Sequence, residues 1–544
     1  MSKTKTSNIP SLFGGTAIVG GLTAFSRVLG FIRDLLIAQL FGASLAADMF
    51  FVAFRIPNTL RSFFAEGALS SAFIPVFAEE LERNDQSANA FYRQALGVML
   101  VITVVVVAVF FLTSETVVNI FAPGFSDDPQ VTRQTAFLLQ IMLPYLPSIT
   151  FVVIINGVLT SLHRYGAGAL AQIIVNLCLI GGVVVAGFAE GDGQAKTLAL
   201  SVLFAALIQY ALLFPLARAS GFPPIPAFPR FSPAIRQMFI LMVPALFGAA
   251  VYQLTILLNT VLASFLPTGS ISWLFYADRI SQLPIGVFTI ALSSVLLPQL
   301  ARGHARGDHA DTRERLSAAL RYSLFCLVPL SFLLSGASAL IIQVLFERGE
   351  FTPEDTIQSA RALRWFALGL IPLSLYSVIS RHFIALKQTT IPAVIGTVTL
   401  ISSFLLSMTL MGPLEQDSSS GVVSVLSLIQ SLLPFRLSLE HEGLALSSAL
   451  CACMSLSLSL IFLRRDDRPS VLSALSSGWK PIVASVLVYG VTMLPQVLAF
   501  TPLVQLLIVL ALSPAAFIVT TFFLGSKELE ETFSAFSRYI SRRR

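Results

Sequence analysis

Charged side chains are scarce in this sequence of 544 residues, in which Asp, Glu, Lys and Arg make up 12% and hydrophobic residues 55%. A soluble domain carries about 25% charged residues. Apolar runs of about 20 residues, the length that crosses a bilayer, recur from end to end, and no soluble domain fits between them. The scarcity of charge therefore predicts an all-α polytopic membrane protein.

Several chemical signatures are also missing. The cysteines lie in apolar runs, and Cys451 and Cys453 are two residues apart, on different sides of a helix, so neither a disulfide nor a metal site is indicated. The histidines are scattered without metal-ligand spacing, and no GxxxxGK[ST] motif occurs. We predict no catalytic residue, no metal, no cofactor and no enzyme activity. The first apolar run lacks a small-residue cleavage site, so we expect a retained helix rather than a signal peptide.

The hydrophobic runs predict about fourteen membrane spans. They cover roughly residues 15–41, 46–64, 93–114, 135–162, 167–188, 197–217, 235–266, 270–298, 316–337, 360–386, 391–411, 443–463, 480–500 and 503–525.

Basic and acidic residues alternate between successive loops. One loop carries Arg302, Arg306, Arg313 and Arg315, whereas the next carries Glu347, Glu350, Glu354 and Asp355. This positive-inside bias predicts that both termini are cytoplasmic. The net charge of +6 is thus explained by topology, and no nucleic-acid partner is needed.

The sequence repeats itself at a separation of roughly 225 residues. FVAFRIP at 51–57 corresponds to FYADRIS at 275–281, and ALSS at 68–71 corresponds to ALSS at 291–294. Six predicted helices separate the copies, so both halves have the same orientation. We expect two parallel six-helix repeats around a central cavity, plus two C-terminal helices.

These repeats predict three domains: an N-lobe at 1–220, a C-lobe at 221–466, and C-terminal helices with a basic cytoplasmic tail at 467–544. The C-lobe includes an insertion at 415–443 on the outer side. Its apolar spacing suits an amphipathic helix on the outer leaflet, and a flexible hydrophobic loop is the alternative.

Charged residues are concentrated in one stretch that otherwise resembles two membrane spans. Residues 23–75 contain Arg27, Arg33, Asp34, Asp48, Arg55, Arg61 and Glu66. An arginine at the centre of a membrane helix costs about 3 kcal/mol, so these side chains must face protein or a water-filled cavity.

Helical spacing pairs some of these charges. Arg27 with Asp34, and Asp48 with Arg55, are seven residues apart and share a helix face. Arg61 could reach Glu66, whereas Arg33 has no obvious partner in the pattern. The surplus is cationic, and the repeat places Arg279 at the position of Arg55. An anion-binding interior is one interpretation, and internal braces that pair arginines with Asp34, Asp48 and Asp278 are the other.

Four segments resemble the MurJ (MviN) family of lipid II flippases, within a superfamily of multidrug exporters and polysaccharide-lipid flippases. They are SRVLGFIRD (26–34), AADMFFVAFRIPNTLRSFFAEGALSSAFIP (46–75), SWLFYADRISQLPIGV (272–287) with ALSSVLLP, and LFERGEFTPED. The resemblance implies fourteen helices, a V-shaped central cavity and alternating access.

It also implies that Arg27, Arg33, Arg61 and Arg279 handle lipid II, and that Asp48 and Asp278 lie on the cavity side. The supporting or gating residues would then be Asp34, Asp48, Arg55, Glu66 and Asp278. Residues 391–411 contain no carboxylate or asparagine where some members build a sodium site, so sodium coupling is not indicated.

The implied function is the transfer of lipid II from the cytoplasmic to the outer leaflet of the bacterial inner membrane. Lipid II, membrane lipids and cell-wall synthesis proteins are the implied partners. The alternatives are a cation-coupled multidrug exporter, a flippase for another polyprenyl-linked glycan, and a non-transporting membrane scaffold.

Overall fold

The computed structural model describes residues 9–64, 68–164, 166–414, 421–433, 436–494 and 500–541. Within these ranges the regular elements are helices, apart from one isolated antiparallel bridge between Met411 and Ser438. Ten helical stretches of the described residues are long and apolar enough to cross a membrane, and two of them, Pro129–Ser161 and Arg468–Met493, each contain two consecutive helices. The all-α polytopic fold is thus confirmed, while the count of fourteen spans stays a prediction.

The chain forms two compact units, residues 1–269 with 415–427, and residues 270–414 with 428–544. The first ten helices belong to the first unit. They are α1 Ile9–Phe41, α2 Leu45–Phe64, α3 Ala68–Arg83, α4 Asp85–Leu112, α5 Ser114–Phe121, α6 Pro129–Met142, α7 Tyr145–Ser161, α8 Gly166–Ala186, α9 Asp192–Ala219 and α10 Pro233–Ala263.

The remaining helices follow Gly269. They are α11 Ser270–Pro284, α12 Ile290–Ala305, α13 His309–Gly336, α14 Ser338–Phe346, α15 Pro353–Ala385, α16 Thr390–Leu410, α17 Gly421–Ser431, α18 Glu440–Phe462, α19 Arg468–Ser476, α20 Trp479–Met493, α21 Pro502–Phe523 and α22 Lys527–Ser541. The lobe limits at residues 220 and 466 stay predictions.

Helix starts recur along the chain at the spacing of the sequence repeat. α1, α4, α5, α6 and α8 each begin 224 residues before α10, α13, α14, α15 and α16, respectively. The offset grows to 248 residues between the starts of α9 and α18, with α17 in the added segment. The extra length therefore falls inside the predicted insertion at 415–443.

Proline shapes two of the helix boundaries. Pro144 lies between α6 and α7, in the middle of the single span predicted for 135–162. Pro284 ends α11, and a π-helical turn over Ile285–Thr289 leads into α12. Proline lacks the N–H group that continues the helical ladder, which explains a local change of winding at both places.

Each unit has its own apolar core. In the first, α3, α4, α7 and α10 bury side chains that include Phe73, Phe77 and Tyr92. In the second, α12, α13, α15 and α19 bury a cluster that includes Leu316, Phe383 and Val471. α3 was not predicted as a helix, because its charged C-terminal end removes the signal of a long apolar run.

A polar cluster lies beside the second core, where α15 ends. His382, which is 1% exposed, has Nε2 at 3.2 Å from Asp467 Oδ2, and Arg313 Nε donates to Asp467 Oδ1 at 3.1 Å. The hydrogen bond from His382, reinforced by Arg313, holds the pKa of Asp467 below its usual range. The cluster joins α13 and α15 to the turn before α19.

The described part of the insertion contains the predicted helix. In α17, Val423 and Leu426 are buried, whereas Val425 and Leu428 are exposed. The side chain of Gln430 donates to the carbonyl groups of Met408 and Gly412 and accepts from the backbone N–H of Leu414. The placement of α17 on the outer leaflet stays a prediction.

Candidate functional site

Arg33 of α1 is held on two sides. Its Nε and Nη2 atoms donate to Asp34 Oδ1 at 2.9 and 2.6 Å, and Nη1 donates to Asn176 Oδ1 of α8 at 3.0 Å. Asn176 in turn donates to the backbone carbonyl of Ser26 at 2.8 Å. The expectation that Arg33 has no obvious partner was wrong, because its long side chain folds back onto the adjacent carboxylate. Nothing in the sequence indicates that Asn176 is a partner of Arg33, since the two residues are 143 positions apart.

Asp34 is 2% exposed, and it lies in α1, which the sequence predicts to be a membrane span. A buried carboxylate requires a compensating charge or hydrogen bonds, and Arg33 supplies both. The pairing of Asp34 with Arg27, predicted from their spacing, stays a prediction. Arg27 itself is exposed in this structure.

Asp48 and Arg55 of α2 contact different parts of the segment that ends the first unit. Asp48 Oδ2 accepts from the backbone N–H of Gly269 at 2.7 Å, and Asp48 is 3% exposed. Arg55 Nη1 donates to the hydroxyl of Thr260 in α10 at 2.5 Å. Both contacts fasten α2 to α10 and the turn after it, which supports a bracing role for this pair.

Arg61 lies near the C-terminal end of α2, and its Nε donates to Asn58 Oδ1 at 3.0 Å. It lines a cavity of about 160 Å³ within the first unit. The other polar residues of the lining are Ser70, Tyr145, Asn156, Gln172 and Gln209. Arg61 is thus one of the predicted arginines, and it lines a cavity of this unit. Glu66, its predicted partner, lies outside the described residues.

Asp278 and Arg279 belong to α11 in the second unit. Arg279 places its guanidinium carbon 4.7 Å from the ring centre of Phe275, four residues earlier, in a cation–π contact. Asp278 accepts a hydrogen bond from the side-chain amide of Gln282. The two side chains therefore contact different neighbours on their own helix, as their adjacency in sequence predicts.

Among the described residues no group of three or more His, Cys, Asp or Glu side chains is placed to hold a metal ion. The four cysteines, all of which are described, have free thiols. The polar groups that the structure does assemble are guanidinium, carboxylate and amide groups inside helical bundles. Charged groups inside membrane helices mark the pathways of substrates and ions.

Long apolar helices with charged side chains among them define a multi-pass membrane protein of the transporter type. The family model "Lipid II flippase MurJ" matches residues 37–418. The chain belongs to the lipid II flippase MurJ family.

Similar proteins from two named bacteria carry the same family description. The "Probable lipid II flippase MurJ" of Rhizobium meliloti (strain 1021) is 35% identical over 429 residues, which are 78% of this chain and 80% of the relative. The protein of the same description from Haemophilus influenzae (strain ATCC 51907 / DSM 11121 / KW20 / Rd) is 34% identical over 396 residues, with coverage of 70% and 78%.

Solved structures support the fold. "Lipid II flippase MurJ, inward closed conformation" matches with a TM-score of 0.73 at 23% identity and covers 93% of this chain and 98% of that one. A multidrug resistance MATE family transporter of the MOP superfamily, in an inward-facing conformation, matches with a TM-score of 0.64 at 10% identity, with coverage of 85% and 99%. At these identities the similarity concerns the fold alone.

Proposed function

We propose that the protein is a lipid II flippase, which moves undecaprenyl-pyrophosphate-linked disaccharide-pentapeptide from the cytoplasmic to the outer leaflet by alternating access. The observation that carries this proposal is the family match over residues 37–418, which includes Arg61 and Arg279. The membrane in question is the bacterial inner membrane, with both termini in the cytoplasm. No bond is made or broken during transfer, so the protein is not an enzyme.

Arginine suits this cargo for a geometric reason. Its planar guanidinium presents two parallel N–H donors to two oxygens of a phosphate, and the bond is strengthened by charge in a low-dielectric interior. The contacts of Arg33 to Asp34 and Asn176 engage three of the five N–H groups of a guanidinium. Among the described residues Arg33 makes no further contact, which leaves two N–H groups for an anion, so Arg33 can brace α1 and bind cargo at once.

The rival function is cation-coupled drug export. A carboxylate that binds a coupling cation has to exchange it, and the two acids of α1 and α2 are already engaged by the protein. Asp34 is in a salt bridge with Arg33 at 2.6 Å, and Asp48 accepts from Gly269 at 2.7 Å. These contacts favour the flippase, since the surplus charge in α1 and α2 is positive.

Reconstitution tests the proposal directly. We expect purified protein in liposomes to make fluorescent lipid II accessible to an outside quencher faster than protein-free liposomes do. A matched sample with Arg61→Ala should lose this activity at equal protein content. Efflux of a cationic dye against a cation gradient, without movement of lipid II, would instead establish the exporter.

A further inference from the structure

A groove of about 590 Å³ lies between the end of α21 and the start of α22, in the second unit. Six of its eight lining residues are apolar. Pockets that hold a ligand measure about 300–1,000 Å³, so the groove is large enough to take a flexible apolar chain. The transport of lipid II proposed above gives this groove no role.

One wall of the groove belongs to a membrane span. Its side chains from α21 include Val519, Phe522 and Phe523, which are 54%, 69% and 82% exposed, and α21 is long and apolar enough to cross a bilayer. Exposed apolar side chains on such a helix are in contact with lipid. The groove is thus continuous with a lipid-facing surface, and an acyl chain of the bilayer is the occupant that this surface favours.

The other wall, α22, is held in place by contacts on its far side. Glu528 Oε1 lies 3.5 Å from Arg321 Nη1 of α13, and Glu531 Oε2 accepts from the hydroxyl of Tyr322 at 2.6 Å. Lys480 of α20 donates to the backbone carbonyl of Gly525 at 2.6 Å, in the turn between α21 and α22. These contacts fix the turn and the start of α22, so they fix the shape of the groove.

The face of α22 that lines the groove carries one charge. The lining residues from this helix are Ser526, Leu529, Glu530 and Phe533. They follow the spacing of a single helix face, whereas Glu528 and Glu531 lie on the opposite side and contact α13. Glu530 is therefore the carboxylate that α22 presents at the groove.

A cation accompanies this carboxylate. Lys527 is three residues before Glu530, so the two side chains are neighbours on the helix surface. Both are exposed, and neither has an ion-pair partner among the described residues. A lipid headgroup that carries both a phosphate and an ammonium group complements this pair. A headgroup with negative charge alone is attracted by Lys527 and repelled by Glu530.

We propose that the groove is a binding site for a zwitterionic phospholipid with a primary ammonium group. An acyl chain of this lipid lies in the groove, its phosphate contacts Lys527, and its ammonium group contacts Glu530. The lipid is a component of the surrounding bilayer and not the transported cargo, so the inference does not rest on the proposed function. Its bound headgroup holds α22 against the membrane surface.

Two phospholipids with the same acyl chains separate the headgroup from the chain. Phosphatidylethanolamine has the ammonium group and phosphatidylglycerol lacks it, and native mass spectrometry of the full chain in detergent measures the binding of each. We expect the unaltered protein to prefer phosphatidylethanolamine. Glu530→Gln should reduce this preference by about two- to fivefold, the effect of one exposed ion pair. Glu530→Lys should reverse it.

Two further variants serve as controls. Phe533→Ala should weaken the binding of both phospholipids equally, because it removes part of the apolar wall and no charge. Glu82→Gln removes an exposed carboxylate from α3 in the first unit and should leave the preference unchanged. Thermal unfolding of each variant checks that the protein is folded.

Cross-linking locates the bound lipid. A benzophenone-bearing phenylalanine in place of Phe533 keeps an aromatic ring in the groove, and the protein is reconstituted into liposomes with equal amounts of the two phospholipids. After irradiation, mass spectrometry should find adducts mainly with phosphatidylethanolamine. Adding Glu530→Gln should bring the two adducts closer to equal amounts. This measurement decides the matter if a variant is lost from detergent solution.

The results divide clearly. Adducts in equal amounts from the otherwise unaltered protein, an adduct with a polyprenyl lipid alone, or no lipid adduct overturns the site. An unchanged preference in folded Glu530→Gln and Glu530→Lys does so as well. A preference for phosphatidylethanolamine that depends on Glu530 and not on Glu82 supports it. The reconstitution with lipid II tests the proposed function separately, and failure there leaves this site unaffected.

Discussion

The charged side chains of α1 and α2 differ from one another in burial and in their contacts. Arg33 and Asp34 neutralise each other through a contact of 2.6 Å, while Arg27 is exposed and Arg61 lines a cavity. Removal of one partner from a buried pair leaves an uncompensated charge, whereas removal of an exposed arginine does not. Stability and transport should therefore respond differently at these positions.

Arg33→Ala should lower the amount of folded protein, because Asp34 at 2% exposure loses its guanidinium at a cost of about 3–5 kcal/mol. Adding Asp34→Asn should restore the level without restoring transport. Arg27→Ala should leave the level unchanged and reduce transport alone. Membrane abundance, thermal unfolding and lipid II transfer are measured for each. Equal abundance of Arg33→Ala and the unaltered protein would show that the salt bridge does not brace α1.

The Asp467 cluster gives a prediction about pH. Its carboxyl has a lowered pKa, so the stability it adds is present above the unfolded-state value of about 4 and is lost as pH falls through the lower folded-state value. Asp467→Asn should lower stability near pH 7 by about 1.5–3 kcal/mol, the worth of hydrogen bonds to a charged group. It should also flatten the loss of stability on acidification. Thermal unfolding between pH 3 and pH 7 checks both, and a steeper pH dependence in the variant would contradict them.

At the scale of the helices, close approach depends on a few glycines. Gly97 of α4 faces the segment between α9 and α10, where Ala227 donates its N–H to the carbonyl of Arg93 at 2.8 Å. A Cβ atom on Gly97 would lie 1.9 Å from the carbonyl oxygen of Ala227. The backbone of this connection therefore packs directly on α4, which only glycine permits.

Gly97→Ala should destabilise the protein by about 1–3 kcal/mol or more, because backbone has to move to make room. Gly181→Ala is the matched control in α8 of the same unit, since nothing lies within 4 Å of its added Cβ atom. That substitution should be neutral or stabilise by up to about 1 kcal/mol through helix propensity. Melting temperatures of the two variants in one detergent give the comparison, and equal values would refute the close contact.

Helices were predictable from sequence to the extent that they are long and apolar. The predicted spans 46–64, 167–188 and 391–411 nearly coincide with α2, α8 and α16. α3, α5 and α14 escaped prediction because they are short or carry charge, and their formation depends on packing. Hydropathy predicted 135–162 as one span, whereas a proline at position 144 predicts a kink or local unwinding, and α6 and α7 separate there.

The candidate site was predictable as a set of charges and not as a set of contacts. Spacing along one helix singled out Asp48 and Arg55, and the concentration of charge in residues 23–75 singled out Arg33. Neither observation could find Asn176, Thr260 or Gly269, because these partners come from segments more than 140 residues away. The amides of the cavity, Asn156 and Gln209, look like ordinary helix residues until α7, α8 and α9 are packed together.

For the whole molecule, orientation in the membrane is the property on which the direction of transport depends. The basic turn before α13 is predicted to be cytoplasmic and the acidic turn before α15 to face outside. Ala310 and Glu354 are exposed in these two places. They allow both sides to be probed without disturbing a packed side chain.

In a background without the four native cysteines, Ala310→Cys should react only with a reagent that has access to the cytoplasmic side. Glu354→Cys should react only from outside. Membrane-impermeant maleimide on intact cells, before and after permeabilisation, makes the measurement. Labelling of both positions from one side would refute the predicted topology between α12 and α15.

Membrane potential should also act on the transport of an anion. A potential that is negative inside favours outward movement by about 2.3 kcal/mol per charge per 100 mV. We expect faster lipid II transfer in liposomes with an imposed potential than in depolarised ones at the same pH. A response to a pH gradient alone would instead point to proton coupling.

The ends of the added segment around α17 lie against each other. Met411 and Ser438 form an antiparallel bridge, and the amide of Gln430 bonds to the backbone at Met408, Gly412 and Leu414. Because these contacts hold the two ends of the segment together, extra residues at an exposed position between them need not displace α16 or α18. The segment offers a splice point at which an epitope or a fluorescent domain can be carried by a working protein.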